Sequence, residues 1–132
     1  MVNYALTGTP GTGKTSLSKL LDEKVISLSE YYEKASAGKT ESGEWVVDIK
    51  KLDSLLENNN CNIFEGNFAH KLYKVEKIIV LRCDPLILEK RLENRNYTKE
   101  KIRENMEAEA IGIIFSESLK YVGKDNIIQI DN

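Results

Sequence analysis

Near its amino end the chain reads Gly8-Thr9-Pro10-Gly11-Thr12-Gly13-Lys14-Thr15, which fits the pattern G-x-x-x-x-G-K-[ST]. These residue types at this spacing suit a polyphosphate. Glycines let the backbone curl until several N–H groups point at one anion, and a helix starting there adds the partial positive charge of its N-terminus. Lys14 then reaches the outer phosphates and Thr15 offers its hydroxyl to Mg²⁺. Gly11, Gly13, Lys14, Thr15 and Ser16 are the candidate ATP-binding residues of this phosphate loop, a Walker A motif. Glu65 sits at a predicted strand end beside Gly66, where a carboxylate can hold the metal through water. Arg91, Arg95 and Arg103 gather near another strand end and suit phosphates whose charge redistributes during transfer. Arg95, next to a turn and a helix cap, is the favoured one. His70, the single histidine, is a weaker candidate for a proton shuttle.

The elements that hold these groups are readable from hydrophobic pattern. Residues 2–6 form a strand before the loop, and Leu17, Leu20 and Leu21 share one face of a helix after it. Further strands are expected at 25–28, 62–64, 77–82 and 126–130, the third a near-continuous apolar run as in a strand covered on both faces. Asp48 caps a helix with Leu52, Leu55 and Leu56, and Asp84-Pro85 starts another. Thr98 caps a long helix through Ile102, Met106, Ala110 and Ile114, with Tyr97 and Ile102 as a staple. Residues 35–44, small and polar, read as a mobile loop. Trp45, Tyr31 and Tyr32 read as packing, and Glu107 with Glu109 as a solvated helix face. Alternating strands and helices predict a parallel sheet with right-handed crossovers and a ligand cleft at the strands' carboxyl ends.

At 132 residues the chain is long enough for one domain with a core that needs no metal or disulfide staple. The net charge is −2, with no basic stripe, so direct nucleic-acid binding is not expected. No apolar run is long enough for a membrane span. Cys61 and Cys83 lack metal-ligand spacing and read as reduced thiols of a cytoplasmic protein. There is no N-K-x-D signature of a GTPase, and the chain is too short for a large motor ATPase.

Three segments carry a specific resemblance: residues 6–16, then Val80-Leu81-Arg82-Cys83-Asp84, then Arg91-Leu92-Glu93-Asn94-Arg95-Asn96-Tyr97-Thr98-Lys99-Glu100-Lys101-Ile102-Arg103-Glu104-Asn105, with Glu107 and Glu109 beyond. The chain resembles the adenylate kinase isoenzyme 6 family, small nucleoside monophosphate kinases linked to ribosome biogenesis in archaea and eukaryotes. The resemblance implies a monophosphate-binding segment near 29–51 and an ATP lid near 94–105. It implies a broad nucleoside monophosphate kinase with ATPase activity, using Mg²⁺. It also implies a role in small-subunit maturation and rRNA processing through a small-subunit ribosomal protein. The family places an acid-x-His motif at the end of its third strand; here the residues are Glu65-Gly66-Asn67, and Asn67 cannot carry a proton as histidine does. The Phe-Pro-Arg of ordinary adenylate kinases is missing after Gly66. Family members continue past the position of Asn132 through an adenine-contacting loop and a closing helix.

The expectation is therefore a single P-loop kinase domain over residues 1–132, a three-layer α/β fold with a five-stranded parallel sheet flanked by helices and no C-terminal helix. It would transfer phosphate from ATP to AMP or another monophosphate. The alternatives are a nucleotide-switched assembly ATPase, a truncated ATP-binding domain with little turnover and, behind these, a small-metabolite kinase. An uncovered sheet face around Ile127, Ile128 and Ile130 is expected to give a homodimer or a monomer stabilised by nucleotide.

Overall fold

Five short strands pair into one parallel sheet, since the connection between each and the next is long enough to bring the chain back to the same end of the sheet. The computed structural model describes residues 2–41 and 43–132. In chain order its elements are β1 (Tyr4–Gly8), α1 (Lys14–Ser18), β2 (Ile26–Ser27), β3 (Ser36–Lys39), β4 (Trp45–Val47), α2 (Ile49–Leu56), β5 (Ile63–Glu65), β6 (Lys77–Arg82), α3 (Pro85–Asn94), α4 (Lys99–Ile111), α5 (Ile113–Ser118) and β7 (Ile127–Asp131). The sheet order is β2-β5-β1-β6-β7, with helices flanking it. Ser27 lies opposite Glu65, and Glu65 opposite Leu6, so β2, β5 and β1 present their carboxyl ends side by side. That alignment brings the acid of β5 next to the loop that leaves β1.

One face of the sheet is packed. Ala5, Phe64, Ile78 and Val80 project into a core with Leu52 and Leu56 of α2, joined by Ile114 and Val122. A second cluster joins Leu88 and Leu92 of α3 to Ile102 and Met106 of α4. It holds the turn between those helices, where Asn96 adopts φ 61°, a left-handed conformation that asparagine tolerates. On the other face, Leu6, Ile63, Ile79 and Ile130 line an apolar groove of about 410 Å³ with Leu17 and Leu21.

The expected caps are present. Asp48 accepts from the N–H groups of Lys50 and Lys51, Asp84 from that of Leu86, and Thr98 from that of Lys101. Three expectations need correction. The helix after the phosphate loop stops at Ser18, leaving Leu20 79% exposed. The Ser18 hydroxyl bonds the Thr15 carbonyl at 2.8 Å, and serine side chains compete in this way with helical backbone bonds. The supposed loop at 35–44 contains β3, which pairs antiparallel with β4, while residue 42 lies outside the described residues. The β-prone Trp45-Val46-Val47 supplies the second strand, and Lys39 Nζ sits 4.3 Å from the Trp45 ring centroid. The long helix ends at Ile111, because Gly112 takes φ 67° and caps it; Ile114 belongs to α5.

Candidate active site

The phosphate loop leaves β1 at Gly8 and enters α1 at Lys14. It is closed from within. The Thr9 carbonyl accepts from the Thr12 hydroxyl at 2.8 Å and from the Thr12 N–H at 3.2 Å. Lys14 Nζ donates to the Gly8 carbonyl at 2.9 Å and to the Thr9 carbonyl at 3.2 Å. Burial lowers the Lys14 pKa to about 8; Arg95 adds to that, whereas Glu65 and Glu109 oppose it. An arriving phosphate would restore the charge that burial disfavours.

A cavity of about 300 Å³ opens above the loop. Pro10, Gly11, Gly13, Lys14 and Thr15 form one wall, Ser27, Ser29 and Tyr32 another, and Glu65, Gly66 and Asn67 join them at the end of β5. Arg95 and Tyr97, from the turn between α3 and α4, complete the lining. The structure thus brings together Lys14, Thr15, Glu65, Asn67 and Arg95 from three separated stretches of chain. Glu65 is 4% exposed, and among the described residues no group hydrogen-bonds its carboxylate. Tyr32 donates to Asn67 Oδ1 at 2.8 Å. Gly66 permits this approach, since a Cβ there would lie 2.9 Å from the Tyr32 hydroxyl.

Other expected residues lie elsewhere. Arg91 donates to the Gly11 carbonyl and to the Asn132 carbonyl, each at 3.1 Å, and so braces the back of the loop. Ser16 lies with Arg91 and Arg95 along an adjoining depression. Arg103 is exposed and faces Glu107 at 3.8 Å. His70 is buried outside the cavity, with Nδ1 3.1 Å from the Thr7 hydroxyl and Nε2 2.9 Å from Glu117. Burial lowers the His70 pKa, against the pull of Glu117.

Two readings of the sequence are corrected here. Tyr32 packs on the core, as expected, but also presents its hydroxyl to the cavity. Glu109 is no solvated residue: it is 3% exposed and bonded to Thr9, Arg82 and the Cys83 N–H. Helical periodicity offered a hint, since Ile102, Met106 and Glu109 share one face of α4 at spacings of four and three. Ser27 carried no signal until the pairing of β2 with β5 was known, whereas Ser29 opens the segment near 29–51 that the resemblance implied.

A Mg²⁺ ion would find the Thr15 hydroxyl and the Glu65 carboxylate at this cavity. Among the described residues no three His, Cys, Asp or Glu side chains are grouped to hold a metal. Such a donor set fits an ion that keeps several waters and leans on substrate phosphates. Among the described residues, no helix is long and apolar enough to cross a membrane.

A family model described as "AAA domain" matches residues 5–112. A protein of Archaeoglobus fulgidus named "Putative adenylate kinase" is 40% identical over 131 residues, covering 96% of this chain and 71% of its own. One of Pyrococcus abyssi with the same name is 37% identical over 135 residues, covering 96% and 73%. Among solved structures, a gluconokinase from Sinorhizobium meliloti superposes with a TM-score of 0.54 at 12% identity, over 98% of this chain and 82% of that one. At that identity the likeness is one of fold.

Proposed function

The chain belongs to the AAA-domain family and to the group of archaeal proteins that carry the adenylate kinase name, and from this premise we propose that it transfers the γ-phosphate of ATP to AMP or a related nucleoside monophosphate. The observation that carries the reading is the convergence of Lys14, Thr15, Glu65 and Arg95 on one cavity at the carboxyl end of a parallel sheet. Lys14 supplies a point charge that is worth more as charge builds on the transferred group. The loop N–H groups cradle the phosphates, and Arg95 closes over them. Thr15 and Glu65, the latter through water, would hold Mg²⁺, which shields the phosphates and lines up the displacement. Little covalent help is required of the protein, because this transfer is governed by positioning and charge neutralisation.

In this reading residues 1–132 act as one kinase domain. Segment 29–51, with Tyr32 and the β3–β4 hairpin, receives the monophosphate, and segment 94–105 is the lid. An ion pair between Glu44 of the first segment and Lys101 of the second brings the two segments into contact. The resemblance to the isoenzyme 6 family adds a cytoplasmic role in small-subunit maturation with a ribosomal protein as partner. ATP·Mg²⁺ incubated with each monophosphate, and separately with none, tests the reading through ADP and free phosphate measured in the same samples. ADP formation that depends on AMP supports it; none with any monophosphate overturns it.

One observation favours hydrolysis as a second activity. The side of the cavity formed by Ser27, Ser29, Tyr32 and Asn67 offers hydroxyl and amide groups without a cation. Water needs no cation to be held there, whereas a phosphate dianion is held best by one. Phosphate release without acceptor, stimulated by a small-subunit ribosomal protein, would make the nucleotide-switched ATPase the main activity.

A further inference from the structure

Two carboxylates are buried among the described residues, Glu65 and Glu109. Glu65 faces the cavity; Glu109 lies outside its lining. A buried carboxylate is costly unless donors surround it, and Glu109 has them on both oxygens. Its Oε1 accepts from the Thr9 hydroxyl at 2.8 Å. Its Oε2 accepts from Arg82 Nε at 2.8 Å and from the Cys83 N–H at 2.9 Å. Arg82 also donates to the Glu109 carbonyl at 2.8 Å and to Gln129 of β7 at 2.7 Å. One side chain near the end of α4 therefore ties that helix to the phosphate loop, to β6 and, through Arg82, to β7.

The bond to the loop bears on the chemistry. The Thr9 carbonyl is the acceptor for both Lys14 Nζ and the Thr12 hydroxyl. Through the hydroxyl and carbonyl of this one residue, the carboxylate on α4 reaches the ammonium at the cavity. The other end of α4 begins at its Thr98 cap, just after Arg95-Asn96-Tyr97. α4 thus joins the Glu109 end of this network to the turn that carries Arg95.

We propose that Glu109 is a positioning residue that sets ATP affinity without touching ATP, by locking the phosphate loop through Thr9 to α4, the helix that follows the Arg95 turn. This rests on the reading that Lys14 and Arg95 bind the phosphates of ATP. The charges that act on Lys14 are Glu65, Arg95 and Glu109, and the last of these also favours its charged form. The hydrogen bond and the charge are separable. Thr9→Val removes the bond and keeps the charge, Thr9→Ser keeps both, and Glu109→Gln removes the charge.

The affinity of the full chain for ATP·Mg²⁺, measured by calorimetry, tests the proposal. Thr9→Val should weaken ATP binding about tenfold, as expected for a lost hydrogen bond to a charged group, with Thr9→Ser, which restores the hydroxyl, within about twofold of wild type. Glu109→Gln should weaken binding at least as much as Thr9→Val. Wild-type affinity in Thr9→Val or in Glu109→Gln, or equal losses in the Val and Ser variants, would each overturn the proposal. If Glu109→Gln does not fold, the Thr9 pair still decides. A wild-type chain that binds ATP but forms no ADP with any monophosphate would overturn the kinase reading, while the ranking of affinities would still decide this proposal.

Discussion

The Tyr32 hydroxyl donates a 2.8 Å hydrogen bond to Asn67 Oδ1, and this bond orients the amide at the end of β5. Burial, with Glu65 close by, raises the Tyr32 pKa far above its usual value, so the phenol remains a donor. Asn67 keeps only its amide N–H groups, which cannot take a proton. Asn67→His supplies a ring nitrogen that can. Acceptor-free phosphate release should then rise relative to AMP-dependent transfer, on the order of tenfold, a modest case of general-base assistance. Measuring ADP and phosphate together decides it, and an unchanged ratio means Asn67 has no bearing on water activation.

Lys14→Ala should slow transfer by at least about a hundredfold, or ~2.7 kcal/mol, with the fold intact by circular dichroism. Near wild-type turnover would remove the phosphate loop from the chemistry.

The pH dependence follows from the same residue. With Lys14 at a pKa of about 8 in the free protein, kcat/KM should fall as pH rises through that value. The limb for kcat should lie higher, since bound phosphate favours the ammonium. Stability should move the other way. The folded pKa is below the unfolded value of 10.5, so between about 8 and 10.5 the unfolded chain binds more protons. Over that window stability gains a contribution as pH rises. Urea melts of wild type and Lys14→Met across this range should differ in slope; parallel lines would contradict the assignment.

Arg95 and Arg103 should separate cleanly. Arg95 lines the cavity, while Arg103 is exposed beside Glu107. Arg95→Ala should weaken ATP affinity and lower turnover together, each by about tenfold or more, because it serves both binding and closure. Arg103→Ala should leave both within about twofold. Steady-state kinetics with calorimetry tests the pair, and the reverse ranking would place the closing cation on α4.

Nucleotide should stabilise the chain. One sheet face is left as an open apolar groove, so the fold has stability to gain from a ligand that bridges β1, β5 and the α3–α4 turn. At about one hundred times its dissociation constant, ATP·Mg²⁺ adds roughly 2.7 kcal/mol, which should raise the melting temperature by several degrees. A melt indifferent to nucleotide would contradict the cavity as its site.

Gly112→Ala should cost about 1–2 kcal/mol by chemical denaturation, because alanine is strained at φ 67° and its Cβ would lie 3.3 Å from Arg82 Nη1. No loss would mean that α4 can run on into α5.

Where the deciding interactions lie within a few residues, the order of amino acids by itself determined the outcome. The loop from Gly8 to Thr15, the caps at Asp48, Asp84 and Thr98, and the apolar run of β6 all depend on spacings shorter than about two helical turns. The alternation of these elements sufficed for a parallel sheet with the loop at its carboxyl edge. Local signals misled where they conflicted, as after Ser18, where a helix that the leucines favoured stops and the Ser18 hydroxyl shares the Thr15 carbonyl with the Lys19 N–H, and at Gly112, which interrupts an otherwise continuous periodicity. Other features are invisible to any local window. The Thr9–Glu109 bond joins residues 100 apart, and Tyr32–Asn67 joins residues 35 apart. Only the tertiary structure decided that Glu109 is buried and Glu107 is not. The reason is physical: a carboxylate two residues along a helix points to a different side, and whether that side meets water or a threonine depends on how α4 packs against β6.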